Sequence, residues 1–113
     1  MLDCPVYLIN LINRPNRLIN SINELNKVSL ADKITRINAT DKKEAYKLRH
    51  KYFNIKIEDN IEKLKSTIII PTWGAAGCAI SHIKVWKDII KNNLDFSLIL
   101  EDDNEIKDIN KFN

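Results

Sequence analysis

The feature that most limits the possible folds of this chain is an almost continuous apolar run at residues 6–11, Val-Tyr-Leu-Ile-Asn-Leu. Residues of these types favour strands, and a strand with apolar residues on both faces has to be covered on both faces of its sheet. Strands of this kind lie inside parallel sheets, where helices make the crossover connections. The run therefore predicts a central parallel strand of an α/β fold.

A helix and a second strand are predicted to follow this run. Pro15 comes after Arg14, and proline is tolerated at the first helical position because its missing N–H group would have no partner there. Apolar residues then recur at spacings of three and four, which predicts one buried helical stripe. The stripe consists of Leu18, Ile22 and Leu25, with Ile19 beside them. Residues 33–39 alternate as a second strand and complete a beta-alpha-beta unit.

Two more helices and an irregular segment are predicted in the middle of the chain. Thr40 and Asp41 provide turn or cap chemistry before a helix at residues 42–52. Residues 53–72 have no clear period, and we expect a mobile connection with a short helix there. Residues 74–77 open another helix, which Asn92 and Asn93 end. Its predicted inward face consists of Ala79, Ile83, Trp86 and Ile90, and its predicted solvent side of Lys84, Lys87 and Lys91.

The last predicted strand ends in three consecutive acids. Residues 96–100 form a second apolar run, and Glu101, Asp102 and Asp103 follow it directly. Ligands of open parallel sheets bind beyond the carboxyl ends of the strands, which is where this triplet is expected. Adjacent carboxylates repel each other, and a hard divalent cation relieves the repulsion. The triplet alone is equally compatible with a solvated acidic turn.

Composition is typical of a globular domain. The chain has 113 residues, of which 44% are hydrophobic and 29% charged, and this is enough for one domain with a core. The net charge of +3 is spread along the chain without a dense basic block, so no nucleic-acid partner is expected. Cys4 and Cys78 form neither a metal-binding nor a redox motif, and both are expected to be free thiols.

The sequence also bears on location. Purely apolar runs such as residues 68–70 are far shorter than a membrane-spanning helix. Asp3 and Pro5 stand where a signal peptide needs a basic and then an apolar stretch. No transmembrane segment is expected, and a cytoplasmic location follows as the default expectation.

Several separated segments agree with a single family pattern. Residues 6–11 are followed by Arg-Pro-Asn-Arg at 14–17, and residues 36–41 are Arg-Ile-Asn-Ala-Thr-Asp. Residues 77–82 are Gly-Cys-Ala-Ile-Ser-His, and residues 98–103 are Leu-Ile-Leu-Glu-Asp-Asp. In this order and spacing the segments resemble glycosyltransferase family 25, which includes bacterial lipooligosaccharide galactosyltransferases and procollagen galactosyltransferases.

The resemblance implies a GT-A-like fold, a Rossmann-type, mostly parallel sheet flanked by helices. Residues 1–113 would form a single N-terminal, nucleotide-sugar-binding part of it, apparently truncated at the C-terminus. The implied reaction is a metal-dependent, inverting transfer of a hexose, with galactose expected, from a UDP-sugar to a saccharide or hydroxylysine-type hydroxyl of a glycan or glycoprotein. A second chain or an oligomer would then complete the site. The alternative is a catalytically inactive module that binds a nucleotide sugar or a partner.

Site residues also follow from the resemblance. Glu101 and Asp103 correspond to the outer acids of the metal-binding Asp-x-Asp pattern, so Mn²⁺ or Mg²⁺ is expected there, with Asp103 the first choice of ligand. The residues expected at the nucleotide sugar are Asn10, Leu11, Arg14, Arg17, Asp41, Ser81, His82 and Asp102. No catalytic residue is assigned. The chain departs from the family pattern at Ala75 and Ala76, where an acidic residue often precedes the Gly-Cys pair.

Four of these residues have an alternative structural role. Arg17 is as compatible with an ion pair to a neighbouring carboxylate as with phosphate binding, and Arg14 with a solvated position at a helix start. Asp41 is placed to cap the following helix. His82 is compatible with a half-buried, hydrogen-bonded position on the flank of its helix.

Overall fold

The computed structural model describes residues 4–53, 72–105 and 107. These residues form three strands, four α-helices and one short 3₁₀ turn. In chain order they are β1 (Val6–Asn10), α1 (Pro15–Asn26), the 3₁₀ turn Ala31–Lys33, β2 (Ile34–Asn38), α2 (Lys42–Lys47), α3 (Arg49–Tyr52), α4 (Trp73–Lys91) and β3 (Leu98–Glu101). The irregular segment predicted for residues 53–72 lies outside the described residues from 54 to 71.

The described strands form one parallel sheet in the order β2-β1-β3. Val6 of β1 is opposite Ile34 on one side and Leu98 on the other. All five residues of β1 are buried. The α/β fold and its central parallel strand are therefore confirmed, and the reason is the one that the sequence indicates: only a covered central strand buries consecutive apolar residues.

Successive residues of β1 contribute to two different cores. Val6 packs with Leu25 of α1 and with Val28 and Leu30, which follow that helix. Tyr7 and Ile9 pack instead with Val85 of α4. Because neighbouring side chains of a strand point to opposite faces, α1 and α4 cover the two faces of the sheet.

A third core cluster joins α2 to α4. It contains Ala45 of α2 and Ala76 and Ile80 of α4, with Trp73 partly buried beside them. The small side chains of the two alanines allow the helices to pack closely. This contact fixes the start of α4 next to the loop between β2 and α2.

The predicted inward face of α4 is wrong. The buried residues of the helix are Ala76, Gly77, Ile80, Ser81 and Val85. Trp86 is 53% exposed and Ile90 is 77% exposed, although both were expected to be inward. The cause is tertiary: α4 presents its small residues to α2 and to the β2–α2 loop, and this rotates the larger apolar residues outward.

The boundaries of the other elements differ in detail. The helix predicted at residues 42–52 is divided at Leu48, which lies in the core cluster between α2 and α4. Phe96 is 62% exposed and precedes β3, which begins only at Leu98. Lys84, expected in solvent, is half-buried, and its Nζ donates to the carbonyl oxygen of Asn38 at 3.2 Å.

Both ends of α4 have clear causes. At its start, Oγ1 of Thr72 accepts a hydrogen bond from the backbone N–H of Ala75 at 3.0 Å. At its end, Asn93 has a φ of 59°, a left-handed conformation that asparagine tolerates. The predicted stop at Asn92 and Asn93 is confirmed. Across residues 4–53 and 72–105, no helix has the length and apolar character needed to cross a membrane.

Candidate functional site

The three strands end at one edge of the sheet, and two adjacent cavities lie there. Asn10, Asn38 and Glu101 are the last residues of their strands, and all three strands run in the same direction. A cavity of about 210 Å³, here called the strand-end cavity, is lined by Leu11, Arg17, Thr40, Cys78, Ser81, Glu101 and Asp102, among others. A second cavity of about 460 Å³ is lined by Leu11, Arg14, Thr40, Asp41, Lys42 and Lys43, among others. Leu11, Thr40 and Gly74 line both cavities. This is the edge at which open parallel sheets bind ligands.

Asn10 is a buried connector of the elements at this edge. It is 2% exposed, and its Nδ2 donates to Oδ2 of Asp102 at 2.8 Å and to the carbonyl oxygen of Arg14 at 3.0 Å. Its Oδ1 accepts from Nε of Arg36 at 3.0 Å. The whole side-chain amide is therefore occupied by protein partners. Asn10 holds the end of β1, the start of α1 and the turn after β3 in register.

Arg36 belongs to the same hydrogen-bond network, although no role was predicted for it from the sequence. Its second guanidinium nitrogen donates to the backbone oxygen of Asn10 at 2.9 Å. Arginine is suited to this position because its planar fork can donate two bonds in a fixed geometry. The available sequence signal was an arginine inside a predicted strand, since arginine is almost never buried without a partner.

Asp102 is directed toward α1. Its side chain is only 13% exposed and forms an ion pair with Arg17 at 3.6 Å. Its backbone oxygen accepts a hydrogen bond from Oγ of Ser21 at 3.0 Å. The ion-pair alternative for Arg17 is thus the arrangement observed. Both residues still line the strand-end cavity.

The acidic triplet therefore divides into one fixed and two exposed acids. Glu101 and Asp103 are exposed, whereas Asp102 is half-buried. Among the ion pairs of the described residues, none uses Glu101 or Asp103. Their oxygen atoms suit a hard cation such as Mg²⁺ or Mn²⁺, which prefers carboxylate ligands and water.

Ser81 joins α4 to the β2–α2 loop. Its Oγ accepts from the backbone N–H of Thr40 at 2.9 Å and donates to the carbonyl oxygen of Gly77 at 2.8 Å. Gly77 leaves no room for a side chain, because a Cβ atom there would lie 2.3 Å from the carbonyl oxygen of Thr40. Ser81 lines the strand-end cavity, but its hydroxyl is occupied by backbone partners.

Thr40 lines both cavities and carries a buried hydroxyl group. The residue is 5% exposed, and within residues 4–53, 72–105 and 107 its Oγ1 has no hydrogen-bond partner. A buried hydroxyl without a partner costs free energy, about 1–3 kcal/mol. A ligand that supplies the missing bond would recover this free energy. Thr40 belongs to one of the family segments, but no site role was predicted for it.

The second cavity is bordered by basic side chains. Arg14, Lys42 and Lys43 line it, and all three are exposed. Asp41 lies among them, but its Oδ1 accepts from the backbone N–H of Glu44 at 2.8 Å and caps α2. The capping role proposed as an alternative for Asp41 is therefore present. Cationic side chains around a cavity attract anionic ligands such as phosphate.

Cys78, His82 and Glu101 bring three potential metal-ligand atoms together. One such atom from each residue lies within 4.8 Å of the others, and Asp103 is not in this group. The thiol of Cys78 donates to Oε1 of Glu101 at 3.4 Å. Partial burial of the sulfur raises the pKa of this thiol, and the hydrogen bond and negative charge of Glu101 raise it further. Both cysteines are free, as predicted.

The predicted site residues fall into four groups. Leu11, Arg14, Arg17, Asp41, Ser81, Glu101 and Asp102 line one or both cavities. Asn10 lies behind the cavity wall, and its side chain is occupied. His82 faces Cys78 and Glu101, with its ring 6.4 Å from that of Trp86. Asp103 is exposed in the turn after β3, and its role as a metal ligand stays a prediction.

Comparisons with known proteins agree with this geometry. Residues 3–112 match the family model described as glycosyltransferase family 25 (LPS biosynthesis protein). Procollagen galactosyltransferase 2 of Mus musculus is 31% identical over 98 residues, which are 87% of this chain and 15% of that protein. The same figures hold for procollagen galactosyltransferase 2 of Homo sapiens. The chain thus spans about 15% of the length of these relatives.

Proposed function

The chain belongs to glycosyltransferase family 25, and from this premise we propose that it binds the sugar donor of a hexosyl transfer. The donor is a UDP-hexose, with galactose as the expected sugar. The acceptor is a hydroxyl of a saccharide or of a hydroxylysine-type residue. The observation that carries the proposal is the pair of cavities at the carboxyl ends of the strands, which combine basic, hydroxyl and acidic side chains.

The basic residues suit the diphosphate of such a donor. Arg17 lines the strand-end cavity, and Arg14, Lys42 and Lys43 line the neighbouring one. Gly74, in the first turn of α4, lies at both cavities, so the partial positive charge of this helix start adds to the attraction. We assign the diphosphate to the boundary between the two cavities.

The hydroxyl of Thr40 suits a neutral part of the donor. It is buried at the wall shared by both cavities and has no partner in the described part of the chain. A ribose or hexose hydroxyl, or a carbonyl oxygen of the uracil ring, would complete its hydrogen bonding. Such a bond favours ligands that have an oxygen there over those that lack one.

A hard cation, Mn²⁺ or Mg²⁺, is proposed to be held by Glu101 and Asp103. Both carboxylates are exposed and without a cationic partner among the described residues, so the ligand set fits oxygen-preferring ions. When bound, the ion would neutralise charge on the leaving diphosphate. Asp102 has a different task in this proposal: with Asn10 and Ser21, it fixes the turn that carries the two ligands.

The proposed transfer is an inverting single displacement. The acceptor oxygen forms a bond to the anomeric carbon as the bond from that carbon to UDP breaks. The acceptor proton passes to a base, for which no residue of this chain is assigned. In this proposal the described residues bind the donor and stabilise the leaving group.

Titration calorimetry with UDP-galactose tests the proposal. With Mn²⁺ present the chain should bind the donor, and Asp103→Ala should weaken this binding at least about tenfold. Asp95→Ala is the matched control, because Asp95 is exposed and precedes β3 at the opposite edge of the sheet. If the donor does not bind, or binds equally with and without metal and in all three proteins, the proposal is wrong.

A further inference from the structure

Cys78 and His82 form a pair of ligands on one side of α4. They are four residues apart, and residues at this spacing are neighbours on a helix surface. Glu101, the last residue of β3, faces them from the sheet. A rigid 19-residue helix and the end of a paired strand thus hold all three residues. No loop movement is needed to bring the ligand atoms together.

The spacing of the ligand atoms fits a tetrahedral ion. Sγ of Cys78 and Oε1 of Glu101 are 3.4 Å apart. Zinc binds sulfur at about 2.3 Å and carboxylate oxygen at about 2.0 Å, and tetrahedral angles then place these two atoms about 3.5 Å apart. The imidazole nitrogen lies within 4.8 Å of both atoms. Coordination would require a rotation of the His82 side chain that brings this nitrogen closer to the other two atoms.

We propose that Cys78, His82 and Glu101 bind a thiophilic divalent cation, Zn²⁺ foremost, at the wall of the strand-end cavity. Thiolate, imidazole and carboxylate together favour zinc over magnesium or manganese, which prefer oxygen ligands. Three protein ligands leave a fourth position for water. Because Cys78 and Glu101 are exposed, the ion can enter from solvent. On binding, the thiol releases its proton to solvent and the thiolate takes the coordination position.

This site differs from the hard-cation site of the proposed function. Cys78 and His82 take no part in holding Mn²⁺, and Asp103 takes no part in holding Zn²⁺. Only Glu101 is common to both. The two ions are therefore expected to compete, with zinc preferring the sulfur-containing set and manganese the carboxylates.

Cobalt is a suitable probe, because Co²⁺ bound to a thiolate gives an intense charge-transfer absorption in the near ultraviolet. The protein is titrated with Co²⁺ without nucleotide sugar, and Zn²⁺ is then added to displace it. The wild type should show the thiolate band and lose it on addition of Zn²⁺. Cys78→Ser should abolish the band and weaken Zn²⁺ binding at least about tenfold, and His82→Asn should weaken Zn²⁺ binding similarly.

Two control variants make the test specific. Cys4→Ala removes the other thiol, which is buried, and Asp95→Asn removes an exposed acid outside the group. Both should keep the band and the zinc affinity, and circular dichroism checks that every variant is folded. A band that persists in Cys78→Ser, or a zinc affinity that is the same in all variants, would overturn the proposal. The readout contains no sugar donor, so either result leaves the donor-binding experiment to be decided separately.

Discussion

At the residue scale, neighbouring acids of one turn have different environments because their partners differ. Asp102 is fixed by Asn10 and Arg17, which belong to or follow the first strand. Among the described residues, the side chain of Glu101 is hydrogen-bonded only to the thiol of Cys78, and Glu101 remains exposed. A carboxylate held by a buried amide positions the chain, whereas an exposed carboxylate is available to ligands. These contacts give the two acids different roles: Asp102 positions the turn, and Glu101 is available to ligands.

The rate at which Cys78 is alkylated should depend on the negative charge of Glu101. The pKa of the thiol is raised by burial and then by the neighbouring carboxylate, so little thiolate is present near neutral pH. Glu101→Gln removes the negative charge and lowers this pKa. We expect iodoacetamide to modify Cys78 about threefold to tenfold faster in this variant at about pH 8. Peptide mapping by mass spectrometry measures the rate and separates Cys78 from the buried Cys4.

Glu105→Gln is the matched control for this experiment. Glu105 is also an exposed acid after β3, but it is not among the partners of the thiol. Its replacement should leave the modification rate unchanged. If Glu101→Gln and Glu105→Gln react at the same rate as the wild type, the carboxylate does not control the thiol.

At the scale of elements, the two glycines of α4 should respond to alanine in opposite ways. The space beside Gly77 is filled by the backbone of Thr40. A new Cβ atom would lie 2.3 Å from the carbonyl oxygen of Thr40. Gly77→Ala should therefore push α4 away from the β2–α2 loop and lower the free energy of unfolding by about 1–3 kcal/mol. Urea denaturation measures this change.

Gly74→Ala is the comparison within the same helix. The nearest atom to a new Cβ there is Oγ1 of Thr72 at 3.6 Å, which is an ordinary contact. Alanine has the higher helix propensity, so this variant should be as stable as the wild type or gain up to about 1 kcal/mol. Equal stability changes in the two variants would contradict the role given to the close contact at Gly77.

Local patterns predicted the elements of this fold better than they predicted which faces meet. The apolar run of β1 and the cap and stop residues of α4 act within a few positions, so the sequence displays them directly. The orientation of α4 depends instead on Gly77 meeting Thr40, which is 37 positions away. Trp86 was predicted to lie in the core because hydrophobic spacing shows only which residues are apolar. It does not show how closely two backbones approach each other.

The candidate site was predicted in the same uneven way. The acidic strand end and the cavity residues belong to segments that can be recognised in the sequence. The parallel sheet brings these segments to one edge. The proximity of Cys78 to Glu101 and the isolation of the Thr40 hydroxyl arise from packing between α4, β3 and the β2–α2 loop. No periodicity or spacing records such contacts.

At the scale of the whole molecule, a buried tyrosine connects the central strand to α4. The hydroxyl of Tyr7 donates to Oδ2 of Asp88. Burial raises the pKa of Tyr7, and the hydrogen bond and charge of Asp88 raise it further. A group whose pKa is higher in the folded state stabilises the fold below its unfolded value, here about 10, and loses this effect as pH rises through the folded value.

The stability of the wild type should therefore fall more steeply at alkaline pH than that of Tyr7→Phe. Tyr7→Phe should cost about 1 kcal/mol near neutral pH, because it removes one hydrogen bond, and this deficit should shrink above about pH 10. Urea denaturation at about pH 7, 9 and 11 measures the difference. Tyr46→Phe, at an exposed tyrosine, is the control and should parallel the wild type. A constant difference between wild type and Tyr7→Phe would contradict the linkage.

The order of the strands has a consequence for how the protein forms. Among the described strands the central one comes first, yet one of its neighbours, β3, begins 92 positions later, where Leu98 is opposite Val6. Pairing over such a sequence separation requires closure of a long loop and slows folding. During synthesis, β1 emerges before β3, and the side of β1 that pairs with β3 has no strand partner until β3 follows. The strand-end cavity, which needs Glu101 and Asp102, is thus completed only when this late strand docks.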